Sequence, residues 1–163
     1  MQRIRYRVAG FSLLELMVVV AVIAILATLA LPSNLGRITQ QRMVETIELV
    51  EPYKAYVAAY YRGNTGTFPT DNAAAGLPEP SKIKGNYLRK LEIRDGVMHL
   101  TLGQKLPESL HDKVLSIRPV FVKDEPSTPI SWICGHESVP SGMHAAGTNL
   151  TDLDTMFLPG RCR

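Results

Sequence analysis

The chain has 163 residues, 45% hydrophobic and 20% charged, with two cysteines. No internal repeat or low-complexity tract runs through it, and the hundred or so residues beyond the N-terminal helical region suffice for one modest core. Basic and acidic residues number 18 and 15, and Arg3, Arg5 and Arg7 account for the whole difference, so the rest of the chain carries no overall basic bias.

In chain order, the first element is a short basic leader ending in Val8-Ala9-Gly10. From Phe11 to Leu31 only Ser12, Glu15 and Thr28 are not plainly apolar, so hydropathy predicts one membrane-crossing helix over 11–31. The leader arginines should stay cytoplasmic, placing the remainder of the chain on the far side. A secretory signal would be cut after its apolar core, beside small residues. Here the small residue Gly10 precedes the core, so a cut there keeps the helix on the mature chain. An uncleaved signal anchor is the alternative that charge and hydropathy leave open. Glu15 is costly inside such a span, which makes it a functional residue by default.

Past Pro32 the chain turns amphipathic. Met43, Ile47, Val50 and Val57 recur at helical spacing, with Arg42, Glu45, Glu48, Glu51 and Lys54 on other faces. Pro52 should kink this helix without ending it, and Gly63 should break it after Arg62. The whole helix, 11–62, would be a rod on the order of 75 Å long. Its first half is apolar on every side. Outside lipid, such a surface must be covered by copies of itself.

A loop over 63–86, rich in Gly and Pro, is expected to be irregular and either a contact surface or a solvated connection. The sheet is expected over about 87–134. Runs 87–93 and 97–102 flank Arg94-Asp95-Gly96, a strong hairpin signal. Segments 114–122 and 130–134 supply two more strands, with Pro119 marking an edge position or a break. The fold class is therefore α+β: a long N-terminal helix, transmembrane in its first half, on a roughly four-stranded antiparallel sheet.

Cys134 and Cys162 enclose 27 residues that hold few large apolar groups. In an oxidising compartment this pair should be bonded, which stabilises the fold by about 3.5 kcal/mol in the loop-entropy picture. A metal or redox pair is the alternative, but CxxC spacing is missing, and His136 reads as a loop histidine. The sequence has no HExxH, no Gly-rich phosphate loop, no GxSxG and no acid cluster with metal-ligand spacing. The histidines His99, His111, His136 and His144 are scattered, and His99 reads as a sheet residue. Asn149-Leu150-Thr151 fits a glycosylation sequon of little specificity. No catalytic residue, metal or cofactor is assigned, and the chain does not read as an enzyme. Two local basic excesses, Lys82, Lys84, Arg89 and Lys90 near the first strand and Arg161 with Arg163 at the tail, are candidate DNA contacts. A solvated face or pairing with acids is the plainer reading of both.

Gly10-Phe11-Ser12-Leu13-Leu14-Glu15 closely resembles the prepilin cleavage motif of type IV pilins and of type II secretion pseudopilins. Prolines at Pro32 and Pro52, and the ending Phe157-Leu158-Pro159-Gly160-Arg161-Cys162, add to the resemblance. It covers Arg7 to Pro52 closely and the rest in layout. Two departures are Ala24, where many pilins have glycine, and the absence of tyrosines just beyond Pro32. The resemblance implies a pilin fold with a 1–10 leader, a 63–163 head and a Cys134–Cys162 bridge around the 134–162 region. It implies cleavage between Gly10 and Phe11 by a prepilin peptidase, N-methylation of Phe11, and assembly through Phe11, Glu15 and Pro32. Glu15 would pair with the N-terminal amine of a neighbouring subunit.

The implied function is a type IV pilus subunit, a helical homopolymer serving adhesion, twitching motility or DNA uptake. Its implied partners are itself, the peptidase, the inner-membrane assembly machinery, minor pilins, and DNA or host and abiotic surfaces. It would be held in the inner membrane, head periplasmic, before assembly, and lie on the cell surface afterwards. A minor pilin or pseudopilin is the alternative within the family. A monomeric signal-anchored binding domain is the alternative from another class.

Overall fold

The computed structural model describes the backbone of residues 11–30 and 32–163, and the side chains of these except 29, 30 and 32–35. The leader expected at 1–10, Gly10 included, and Leu31 lie outside the described residues. The chain divides into two compact units, one ending at Leu35 and the other running from Gly36 to Arg163.

In the first unit, α1 (Leu13–Ala30) begins where Ser12 Oγ accepts the Glu15 N–H at 3.1 Å, satisfying one of the unpaired donors of a helix start. Its 18 residues contain no Gly or Pro and rise about 27 Å. Among the described residues no helix is long and apolar enough to cross a membrane. The span expected over 11–31 is present as an apolar helix from Leu13 to Ala30, and Leu31 lies outside the described residues. Helix α2 (Pro32–Val50) starts on a proline, which suits a first helical position because its missing N–H has no partner to lose there.

In the second unit the expected single kinked helix is instead two. Helix α2 ends at Val50 and α3 (Tyr53–Gly63) follows. Pro52 keeps helical angles but has no N–H, so the Glu48 carbonyl takes the Glu51 N–H instead. Lys54 and Ala55 likewise reach back three residues, to Glu51 and Pro52, and the turn tightens. Met43, Ile47, Val50 and Val57 are the buried stripe, as their spacing predicts.

They pack on an antiparallel sheet ordered β1 (Leu88–Arg94), β2 (Val97–Leu102), β3 (Val114–Phe121), β4 (Ser131–Cys134). A two-residue strand, β5 (His144–Ala145), adds to β3 at Val120 and Phe121. Leu91, Ile93, Met98, Leu100, Leu115 and Ile117 meet the helix stripe, each worth about 1.5–3 kcal/mol when fully buried. The β1–β2 hairpin turns at Asp95 and Gly96, both at positive φ (49° and 79°), as the Asp-Gly signal requires. Pro119 lies just beyond Ile117, where β2 has ended and the β3 ladder passes to β5.

The 64–87 segment carries little regular structure beyond one 3-10 turn at Pro80–Lys82, yet it is firmly docked. Ala75, Leu77 and Ile83 enter the core, and the buried Asn72 side chain bonds to the open edge of β1. A second segment, 146–152, crosses the outer face of the sheet. Ala146 N–H donates to the Pro119 carbonyl, Leu150 N–H to Ser116 Oγ, and Asp152 N–H to the Val114 carbonyl. Strand β2 is consequently buried on both faces, whereas alternation alone predicts one polar, solvated face.

Candidate functional site

The site begins with α1. Leu, Met, Val and Ile occupy nearly every position, so no face differs from another, and every described side chain of the helix is exposed. Phe11 is 83% exposed, and even Val19, the best covered of the large apolar residues, is 47% exposed. A contiguous apolar surface of this size is an interaction surface. Glu15 is the one acidic group on it and sits in the first turn, where the helix dipole favours a negative charge. Of the residues expected to act in assembly, Phe11 and Glu15 are exposed one turn apart, and Pro32 opens α2, its side chain outside the described residues.

At the opposite end of the chain Cys134 and Cys162 form a disulfide. His136 N–H donates to the Cys162 carbonyl at 2.9 Å, and its ring Nε2 lies 3.1 Å from the Leu153 carbonyl, so this histidine braces the loop. Gly135 has φ +59°, and a Cβ there would collide with the Cys162 carbonyl oxygen. Among the described residues there is no free cysteine and no group of His, Cys, Asp or Glu that could hold a metal ion. The sequon at Asn149 is structurally engaged. Its Nδ2 donates to the Gly135 carbonyl at 2.7 Å and its Oδ1 accepts the Thr151 N–H at 3.1 Å.

The six basic candidates do not form one surface. Lys84, Arg89 and Lys90 line a cavity of about 690 Å³ with Ser81 and Asp112. Two of the three are already compensated, Arg89 by Asp112 and Lys90 by Glu92 at 3.0 Å. Glu92 also receives Arg94 at 2.7 Å. Burial pushes the Glu92 carboxyl up, but hydrogen bonds from Lys90 and Arg94 outweigh it and hold the group below its ordinary value. Lys82 ends the 3-10 turn. Arg161 lines a separate cavity with Trp132, Glu51, Lys54 and Glu137, and Arg163 Nε donates to the Leu158 carbonyl.

Sequence reasoning missed two features that organise the head: the Asn72 bonds to β1, and the buried pair His99 and Ser116 under the 146–152 segment. His99 was read only as a sheet residue, and no local signal announces the covering segment.

An uncovered apolar helix bearing one carboxylate, attached to an α+β head stapled by a C-terminal disulfide, defines a filament subunit. Residues 41–163 match the family described as pilin (bacterial filament), and residues 5–31 match the prokaryotic N-terminal methylation motif. The chain is 34% identical over 160 residues to a type IV major pilin protein PilE1 of Neisseria gonorrhoeae, covering 94% of this chain and 86% of the relative. It is 30% identical over 162 residues to a fimbrial protein of Neisseria meningitidis serogroup B, covering 94% and 93%. It is 28% identical over 159 residues to the fimbrial protein EcpC of Eikenella corrodens, covering 94% and 90%. The chain belongs to the pilin family. It is a structural subunit of a cell-surface type IV pilus and not an enzyme.

Proposed function

We propose that this chain is the principal subunit of its pilus, made as a precursor that is cut between Gly10 and Phe11 and methylated on the Phe11 amine. Before assembly the precursor is held in the inner membrane by residues 11–31, with residues 63–163 as a periplasmic head. The assembly machinery there draws it into the filament, with minor pilins as accessory subunits. The observation that carries this reading is α1, apolar on all sides and uncovered, with Glu15 in its first turn. In a filament, copies of the same helix cover that surface, and the Glu15 carboxylate pairs with the Phe11 amine of a neighbour. The relatives named as major pilins support the principal-subunit role.

Intact mass and N-terminal sequencing of filaments sheared from the cell surface test it. The expected chain begins at N-methyl-Phe11 and dominates the sheared fraction. A trace-level mature chain would make it a minor subunit. A membrane-bound protein still beginning at Met1 would replace the filament reading with an anchored monomeric domain.

DNA capture is a second reading, favoured by Lys84, Arg89 and Lys90 facing one cavity with Lys82 nearby. A weak phosphate contact repeated along a polymer gains by avidity. Substituting Lys82, Lys84, Lys90 and Arg163 together by Gln should lower DNA binding by isolated filaments and leave piliation unchanged.

A further inference from the structure

The outer face of the sheet buries a histidine. His99 on β2 sits in register with Glu92 of β1 on one side and Ser116 of β3 on the other, and is 4% exposed. Its Nδ1 lies 3.0 Å from Ser116 Oγ, and the same oxygen accepts the Leu150 N–H at 2.9 Å. A hydroxyl has one hydrogen to give. Its oxygen has two lone pairs, so Ser116 Oγ takes the Leu150 N–H and still either donates its hydrogen to Nδ1 or accepts an Nδ1–H from a neutral ring.

We propose that His99 is an acid sensor whose protonation releases the 146–152 segment from the outer face of the sheet. Protonation puts a hydrogen on both ring nitrogens, so Ser116 can then only accept from Nδ1, and it places a full charge on a side chain sealed from water by the covering segment. The new cation has no free carboxylate to meet. Glu92 is held by Lys90 and Arg94, and Arg94 is itself an unfavourable neighbour. Arg118 follows Ser116 on the same face of β3 and is also positive. Residues 146–151 of the covering segment carry no charge, and Asp152 is engaged by the Val114 N–H at 2.6 Å and by Lys113 at 3.2 Å. Lifting the segment lets water solvate both the ring and Ser116.

The segment is built to move without unfolding the head. It is tied to the sheet chiefly by polar bonds, its one large apolar residue before Leu153, Leu150, is 41% exposed, and β5 and the disulfide anchor its flanks. Burial and Arg94 lower the His99 pKa below its ordinary value, with Glu92 opposing. The closed state thus binds fewer protons than the open one, so the contribution of a neutral His99 to closure is fully present above the ordinary histidine value and is lost as pH falls from there through the lowered one. Opening increases about tenfold for each pH unit separating the two pKa values.

Hydrogen exchange by mass spectrometry on intact filaments, at about pH 7.5 and about pH 5 with intrinsic rates corrected, tests this. Nitrogen-15 NMR of the His99 ring in the same filaments runs beside it. The expected result is a ring protonated on one nitrogen alone at neutral pH, and loss of protection confined to 146–152 at acid pH with the same midpoint as the ring. His99→Gln should abolish that acid response. A ring protonated on both nitrogens at neutral pH, a segment that stays protected while the ring titrates, or an unchanged acid response in His99→Gln would overturn it. Should His99→Gln fail to form filaments, the coincidence of the two wild-type midpoints decides the question.

Discussion

Asn72 completes the hydrogen bonding of Ile93: its side-chain Oδ1 accepts the Ile93 N–H at 2.7 Å, at the edge of the sheet. The same side chain donates to the carbonyls of Leu91 and Pro78, each at 3.0 Å. One amide thereby stands in for a neighbouring strand along β1 and fastens the 64–87 loop, which blunts an edge that could otherwise pair with another chain.

Asn72→Ala should therefore cost about 2–3 kcal/mol, because it leaves a buried N–H and a buried carbonyl without partners. Urea unfolding followed by circular dichroism would measure the loss. A change within a few tenths of a kcal/mol would show that water or the loop backbone replaces the side chain.

Removing the Cys134–Cys162 bridge should cost about 2–5 kcal/mol and act first on the segment it encloses. The enclosed region has few core residues, Leu153 and Leu158 being the main ones, so little else holds it closed. Limited proteolysis of the Cys134→Ser, Cys162→Ser double variant should cut within 135–161 under conditions that leave the hairpin intact. Equal resistance in the oxidised wild type and the double variant would contradict this.

Gly147 bridges the 146–152 segment and the hairpin end. It adopts φ +53°, and a Cβ would lie 2.5 Å from Val97 Cγ2. Gly147→Ala should destabilise the head by about 1–3 kcal/mol through backbone strain and this clash. It should also raise exchange at Leu150 at neutral pH, when His99 is still neutral. A thermal melt and amide exchange on the same sample separate the global effect from the local one.

The hairpin was legible because Asp95-Gly96 is a local signal: two positive-φ residues set the turn, and the turn sets the register from Arg94 opposite Val97 onward. The buried stripe Met43, Ile47, Val50 and Val57 was legible for the same reason, since period and burial coincide on a helix. Strand β5 is two residues long and exists only because Val120 and Phe121 offer an edge beyond the end of β2. The Asn72 and Ser116 bonds join residues some 20 to 35 positions apart, and a polar residue in a loop looks the same before and after it finds such a partner. Pro52 was read as a kink, but deleting one N–H in a short amphipathic helix was enough to split it. For the candidate site, the apolar run and its lone carboxylate are visible residue by residue. The basic excess near the first strand was legible, and pairing with acids, the plainer reading of it, is realised at Arg89 with Asp112 and at Lys90 with Glu92, partners 23 and two positions away.

On the proposed reading, Glu15 acts in filament assembly and not in membrane insertion. It is the only ionisable side chain on α1, and burying it unpaired among apolar helices would cost several kcal/mol, whereas a neighbouring amine would offset most of that. Glu15→Ala makes the helix more apolar, so the precursor should still reach the membrane, while sheared filament yield falls sharply. Glu15→Gln keeps the shape and a hydrogen-bonding group but not the charge. If the ion pair sets the register between subunits, Gln should fail nearly as badly as Ala. If any polar group suffices, Gln should restore much of the yield. Immunoblots of membrane and sheared fractions measure both quantities in one culture. Normal filament yield from Glu15→Ala would remove the carboxylate from the assembly mechanism and leave α1 to pack by apolar contact alone.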